Sequence, residues 1–101
     1  MKNEMIILID KLVASHIPFQ VTLEDWLDGE YHHVFYPADW ESGTCKCSVI
    51  SHPYSYGGRD GKLEIMGLLT EEESEYDDVL GYLDADDVFA RIYADYMNKD
   101  E

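Results

Sequence analysis

Residues 45–69, CKCSVISHPYSYGGRDGKLEIMGLL, decide the fold. In residues 45–51 apolar and polar side chains nearly alternate, the period of a strand with one covered face. Residues 63–69 are apolar and partly β-branched. Between them Pro53 and the glycines Gly57, Gly58 and Gly61 supply the fixed φ and the φ > 0 positions of a chain reversal. The stretch is therefore a hairpin, and the rest of the chain can be laid beside it.

Working toward the N-terminus, residues 31–36 (YHHVFY) read as a strand that Pro37 ends. Residues 37–44 form a loop, with Trp40 exposed or folded back as a lid. Residues 24–30 are a turn or a single helical turn, in which Asp28-Gly29 is a hairpin signal. Residues 19–23 alternate cleanly and place Phe19, Val21 and Leu23 inward. Residues 3–15 read as a helix. Met5, Leu8, Ile9 and Leu12 fall at helical spacing, Ile6, Ile7 and Val13 widen the apolar face, and Asn3 is the N-cap. A helix this apolar is expected to be covered on much of its circumference, and Pro18 stops it.

Toward the C-terminus, Thr70 and Glu73 match a capping box, which would allow one helical turn. Six acids in residues 71–78 repel one another, so an acidic loop is the preferred reading. Residues 79–83 (VLGYL) form a short fifth strand at a sheet edge. A second helix spans residues 84–98, capped by Asp84 and with Asp86 and Asp87 at the positive end of its macrodipole. Val88, Phe89, Ile92, Tyr93, Tyr96 and Met97 make its apolar stripe, and residues 99–101 are expected to fray. The fold expected is α+β: one domain over residues 1–101. It is an antiparallel meander of four to five strands, with the N-terminal and C-terminal helices packed on one face. The other face is left to water or a partner.

Charge is the outlying feature. The chain carries 22 Asp+Glu against 7 Lys+Arg, a net −15. Residues 1–59 carry 8 acids and 4 bases, net −4, whereas residues 60–101 carry 14 acids and 3 bases, net −11. Such a field repels nucleic acid and anionic lipid and attracts basic surfaces. No secretory signal is read in the short apolar run of residues 5–9, and no stretch approaches the roughly 20 apolar residues of a membrane span. Two cysteines one residue apart make no disulfide framework, which fits a reducing cytoplasm. Eight tyrosines are more than a core of this size can bury with every hydroxyl satisfied, so some should line a surface.

Three constellations could carry chemistry. Cys45 and Cys47 would share one strand face, and with His52 and His33 they could assemble a mixed Cys/His zinc site, although the spacing is not that of a zinc ribbon. The alternative is buried cysteines, one pairing or packing histidine and one exposed histidine. The glycine-rich turn lacks a following helix and so the amide cradle of a phosphate loop, but Tyr54, Tyr56 and Arg59 could project from it as contact residues. The acids Glu71, Glu72, Glu73, Glu75, Asp77 and Asp78, continued by Asp86 and Asp87, lack the alternation and central glycine of a calcium loop. They form either a solvated segment or a face for a basic groove. No nucleophile signature is present, no cofactor is expected, and the chain reads as non-enzymatic.

Through LEIMGLLTEEESEYDDVLGYLDADDVFARI, the HPYSYGGRDG turn and the HIPFQV entry, residues 16–97 resemble small acidic uncharacterised proteins of bacterial prophages and conjugative elements. The resemblance implies a mobile-element accessory protein. By analogy, such elements carry acidic DNA mimics and inhibitors of host restriction or CRISPR nucleases. The expected partner is thus a protein with a basic, nucleic-acid-binding surface, met by the acids above with Tyr54, Tyr56 and Arg59 as local anchors. The competing readings are the Cys/His ligand site and a homo-oligomer joined through the open sheet face.

Overall fold

A computed structural model describes residues 3–26, 29–52, 55 and 58–98, with Trp26 and Trp40 described by their backbone alone. The expectations for Tyr54, Tyr56, the Trp40 side chain and the fraying of residues 99–101 lie outside the described residues. The order is α1 (Glu4–Ala14), β1 (Gln20–Trp26), β2 (Gly29–Tyr36), β3 (Cys47–Ile50), β4 (Leu63–Met66), α2 (Glu71–Ser74), β5 (Val79–Leu83) and α3 (Ala85–Met97), with short 3-10 turns at Trp40–Ser42 and Gly58–Asp60. The strands form one antiparallel sheet in the order β1-β2-β3-β4-β5, a meander.

Local chemistry sets the boundaries. Asn3 Oδ1 accepts from the amides of Met5 (3.0 Å) and Ile6 (3.3 Å) and so starts α1. The helix ends before Pro18, because His16 turns into the left-handed region at φ +56° and the Ile17 amide bonds back to the Leu12 carbonyl. The first hairpin is longer than its sequence suggests: pairing runs without a break from Gln20↔Phe35 to Trp26↔Gly29, so residues 24–26 and 29–30 are strand and not a helical turn. In α3 the Asp84 side chain accepts from the Asp87 amide at 2.9 Å.

Pairing fixes which side chains share a face. Val34 lies opposite Val21 and Val49, Val49 opposite Ile65, and Tyr36 opposite Cys47. This is the face that α1 and α3 cover. Met5, Leu8 and Leu12 of α1 and Ala85, Val88 and Ile92 of α3 close over Val34, Tyr36, Cys47, Val49, Leu63 and Ile65 as a single core. Glu4 Oε1 accepts from the Ala85 amide at 2.8 Å, and Lys11 meets Asp86 at 3.1 Å, so the two helices are also tied flank to flank.

Three expectations about burial fail, the first in α3, where Tyr93 and Met97 of the expected apolar stripe are 45% and 60% exposed. Val21 and Leu23 do point to the helix-covered face, yet they are 42% and 59% exposed. On α1, Ile6 and Val13 are 41% and 58% exposed. They sit on the flank away from Lys11 and Glu4, since residues 100° apart along a helix divide its sides. The helix pair is narrower than the sheet and leaves the β1 side uncovered.

Candidate partner-binding face

Thr70 is where the acidic segment acquires structure. Its Oγ1 accepts from the Glu73 amide at 3.1 Å, and Glu73 Oε1 accepts from the Thr70 amide at 2.9 Å, a complete capping box. The preferred loop is therefore a helical turn, α2. Repulsion among its acids does not prevent it because one of them is neutralised from elsewhere in the chain. Arg91 of α3 donates from Nη1 and Nη2 to the two oxygens of Glu73, each at 2.7 Å. Its Nε donates to Asp87 at 2.7 Å, and Nη1 also reaches the Leu68 carbonyl at 3.2 Å. A planar guanidinium offers a fixed fork of donors, and here every arm is used. The paired guanidinium and the Thr70 amide hold Glu73 well below its ordinary range, at about 2. The hydrogen bonds to Glu73 in turn push Arg91 upward.

This clamp divides the acids into two populations. Glu73 and Asp87 are spent inside the fold on Arg91, and Asp86 faces Lys11. Glu71, Glu72, Glu75, Asp77 and Asp78 are exposed. Tyr76 stands among them, 89% exposed. Arg59 is also exposed, but it belongs to the connection from β3 to β4, whereas α2 lies in the connection from β4 to β5. Successive connections of a meander alternate between the two ends of the sheet, so Arg59 and the acidic segment do not form one surface. Arg91 was missed in the sequence reading. Its signals were the Asp87 spacing of four residues and its position as the single base between Lys62 and Lys99.

The Cys/His alternative is taken apart by strand parity. Cys47 lies in the core, fully buried, opposite Tyr36, whereas His33 pairs with Ile50 on the opposite face. Cys45 precedes β3 and donates its thiol to the Cys47 carbonyl at 3.3 Å. His33 stacks on Phe35 at 4.2 Å, and its Nδ1 lies 3.1 Å from Glu24 Oε1. His52 is buried in the β3–β4 connection, where its backbone carbonyl accepts from Ser55. Among the described residues no group of three His, Cys, Asp or Glu side chains converges as a metal site. Burial pushes the Cys47 thiol up to about 12, with Cys45 and Asp95 adding to the effect, and burial raises Cys45 as well. Because the thiolate is the nucleophile, alkylation of the native protein at neutral pH should modify Cys45 slowly and Cys47 only after unfolding. Intact-mass analysis with and without denaturant checks this, and rapid native modification at Cys47 would contradict the burial.

A second polar bridge fixes the far side of α3. The Tyr36 hydroxyl donates to Asp95 at 2.8 Å, and Lys46 Nζ meets the same carboxylate at 3.0 Å. Burial and the Asp95 bond raise the Tyr36 phenol above its usual range, so it stays a donor. Between this bridge and the Arg91 clamp runs an open groove lined by Leu68, Leu69, Ala90 and Ala94. No helix among the described residues is long and apolar enough to cross a membrane.

Fold and face together define an α+β meander domain with one clamped, acid-rich end. Comparison of the chain with protein-family models, curated proteins and solved structures gives no match.

Proposed function

We propose that the chain is a non-enzymatic binding module whose exposed carboxylates in residues 71–78 engage a basic surface on a partner protein, in the place nucleic acid would otherwise occupy. The observation that carries this reading is the Arg91 clamp. It satisfies Glu73 and Asp87 internally and leaves Glu71, Glu72, Glu75, Asp77 and Asp78 with solvent, on a segment fastened to α3. Charges held on an ordered support lose less freedom on binding than charges on a loose tail. Tyr76, exposed at the centre of this group, is of the residue type that anchors interfaces. The resemblance to small acidic proteins of mobile elements, which by analogy carry acidic DNA mimics, points the same way. The free thiols of Cys45 and Cys47 fit action in a reducing cytoplasm.

Neutralising Glu71→Gln, Glu72→Gln, Glu75→Gln, Asp77→Asn and Asp78→Asn together tests it, because these side chains are exposed and Glu73 is untouched. The tagged wild type should retain nucleic-acid-binding proteins from bacterial lysate at low salt and release them at high salt. Duplex DNA should displace them, and the five-site variant should retain none. Equal retention by the variant, or no specific retention by the wild type, would leave the acidity as a solubility feature and overturn the proposal.

A further inference from the structure

We infer that the cavity between α2 and the start of β5 receives an arginine side chain of the partner protein, its stem over Val79 and Leu80 and its guanidinium flat on the Tyr76 ring, within the field of the exposed carboxylates. The inference rests on the reading of the acidic segment as the partner-binding face, and it names the residue type that this face selects.

The cavity has a volume of about 390 Å³ and is lined by Glu72, Glu73, Tyr76, Val79 and Leu80. Its chemistry is divided. Val79 and Leu80 are half-buried and give it an apolar wall, to which the Tyr76 ring adds. The two glutamates are not equivalent. Arg91 holds both oxygens of Glu73 at 2.7 Å. Glu72 is exposed, and no base among the described residues pairs with it. An apolar wall beneath an anionic mouth is the complement of a side chain with a hydrocarbon stem and a cationic head.

The described bases of the chain itself are placed elsewhere. Lys11 meets Asp86, Lys46 meets Asp95, and Arg91 meets Glu73 and Asp87. Arg59 and Lys62 belong to the connection from β3 to β4, at the other end of the sheet. The complementary cation is therefore one that a partner brings. Arg91 does not repel it, because two carboxylates at 2.7 Å offset that single guanidinium.

Tyr76 decides between the two long cations. Its side chain is 89% exposed, so a ring face is free to be covered. A guanidinium is planar and weakly hydrated. It stacks on an aromatic face and keeps its donors in its own plane, directed at surrounding carboxylates. The ammonium of lysine is a strongly hydrated point charge and must shed more water to make the same contact.

Three capped tripeptides, identical except for arginine, lysine or citrulline at the centre, test the inference when titrated at low salt into the isotope-labelled protein and followed by amide NMR. Citrulline is the neutral isostere of arginine. The arginine peptide should shift the amides of residues 76–80 saturably, the lysine peptide should bind about threefold more weakly, and the citrulline peptide should shift none of them. Tyr76→Ala keeps every carboxylate and should weaken arginine binding about threefold and erase the preference over lysine, whereas Tyr76→Phe should keep both. Absence of saturable shifts at residues 76–80, equal binding of the arginine and lysine peptides, or indifference to Tyr76→Ala would overturn the arginine site. Failure of the acidic face as a whole is read separately, from partner retention by the five-site charge variant, in which Tyr76 is intact.

Discussion

Replacing Arg91 with alanine is expected to lower the unfolding free energy by about 2–3 kcal/mol, the range for removing one partner of a partly buried, fully hydrogen-bonded charge pair. The loss has three sources. Glu73 and Asp87 lose their shared cation at 2.7 Å, the Leu68 carbonyl loses a donor, and α2 is left with its acids mutually repelling. Arg91→Lys keeps the charge without the fork and should recover about half of that energy. Urea denaturation followed by circular dichroism gives both values, and a loss below about 0.5 kcal/mol, the level of an ordinary surface pair, would show that the clamp is ornamental to folding. The same contact carries a pH signature. The Glu73 carboxyl titrates at about 2 in the folded chain against 4.5 ordinarily, so the folded state favours its charged form. Its stabilisation is therefore complete above pH 4.5 and lost as pH falls toward 2. Comparing wild type with Glu73→Gln across that window isolates the contribution from the relief of repulsion among the other acids. A stability difference that stays constant with pH would contradict the assignment.

Gly67→Ala is expected to cost about 3 kcal/mol or more. Gly67 holds φ +99° and is followed by Leu68 at φ +56°, two left-handed residues that turn the chain out of β4 toward Thr70. A methyl group there would collide with the Lys46 carbonyl oxygen and come within 3.0 Å of the Cys47 Cα, main-chain atoms of a segment that the Tyr36↔Cys47 pairing and the Lys46 amide bond to the Tyr36 carbonyl hold in place. Gly43 is the control. It has φ +76° but nothing within 4 Å of a would-be Cβ, so Gly43→Ala should cost only the backbone preference, about 1 kcal/mol. Equal losses at the two sites would mean that φ alone matters and that the close approach of β3 does not.

The meander was legible because its signals are local. Alternation in residues 19–23 and 45–51 and the Asp84 cap each act over a few residues; strands lie over both stretches, at Gln20–Trp26 and Cys47–Ile50, and Asp84 caps α3. The fifth strand followed from the same logic. What escaped depends on neighbours distant in sequence. Residues 71–74 were read as a loop because repulsion was weighed among the acids alone, while the charge that offsets it enters 18 residues later. Val21 and Leu23 were given the correct face, since parity is a property of the strand. Their exposure depends on how far a two-helix layer reaches across five strands, which no local pattern encodes. The proposed union of Arg59 with the acids, and of His33 with Cys47, overlooked two rules already present in the topology: alternate turns occupy opposite ends, and alternate residues opposite faces. Tyr76, exposed beside the free carboxylates, carries no local signal that sets it apart from the seven other tyrosines.

The Arg91 clamp also governs which sequence changes the chain can absorb. Thr70, Glu73, Asp87 and Arg91 are bound to one another by directional bonds, so each is constrained in both identity and place. The five exposed carboxylates contribute through a field that falls off over a screening length and does not register which of two adjacent positions bears the charge. Aspartate can trade for glutamate there, and an acid lost at one site can be regained at its neighbour, while the summed charge stays fixed. Descendants of this chain would then drift fastest in the face proposed to meet a partner. Kinship would survive in four buttressed positions and a strand rhythm, and the acidity in a total rather than in an alignment.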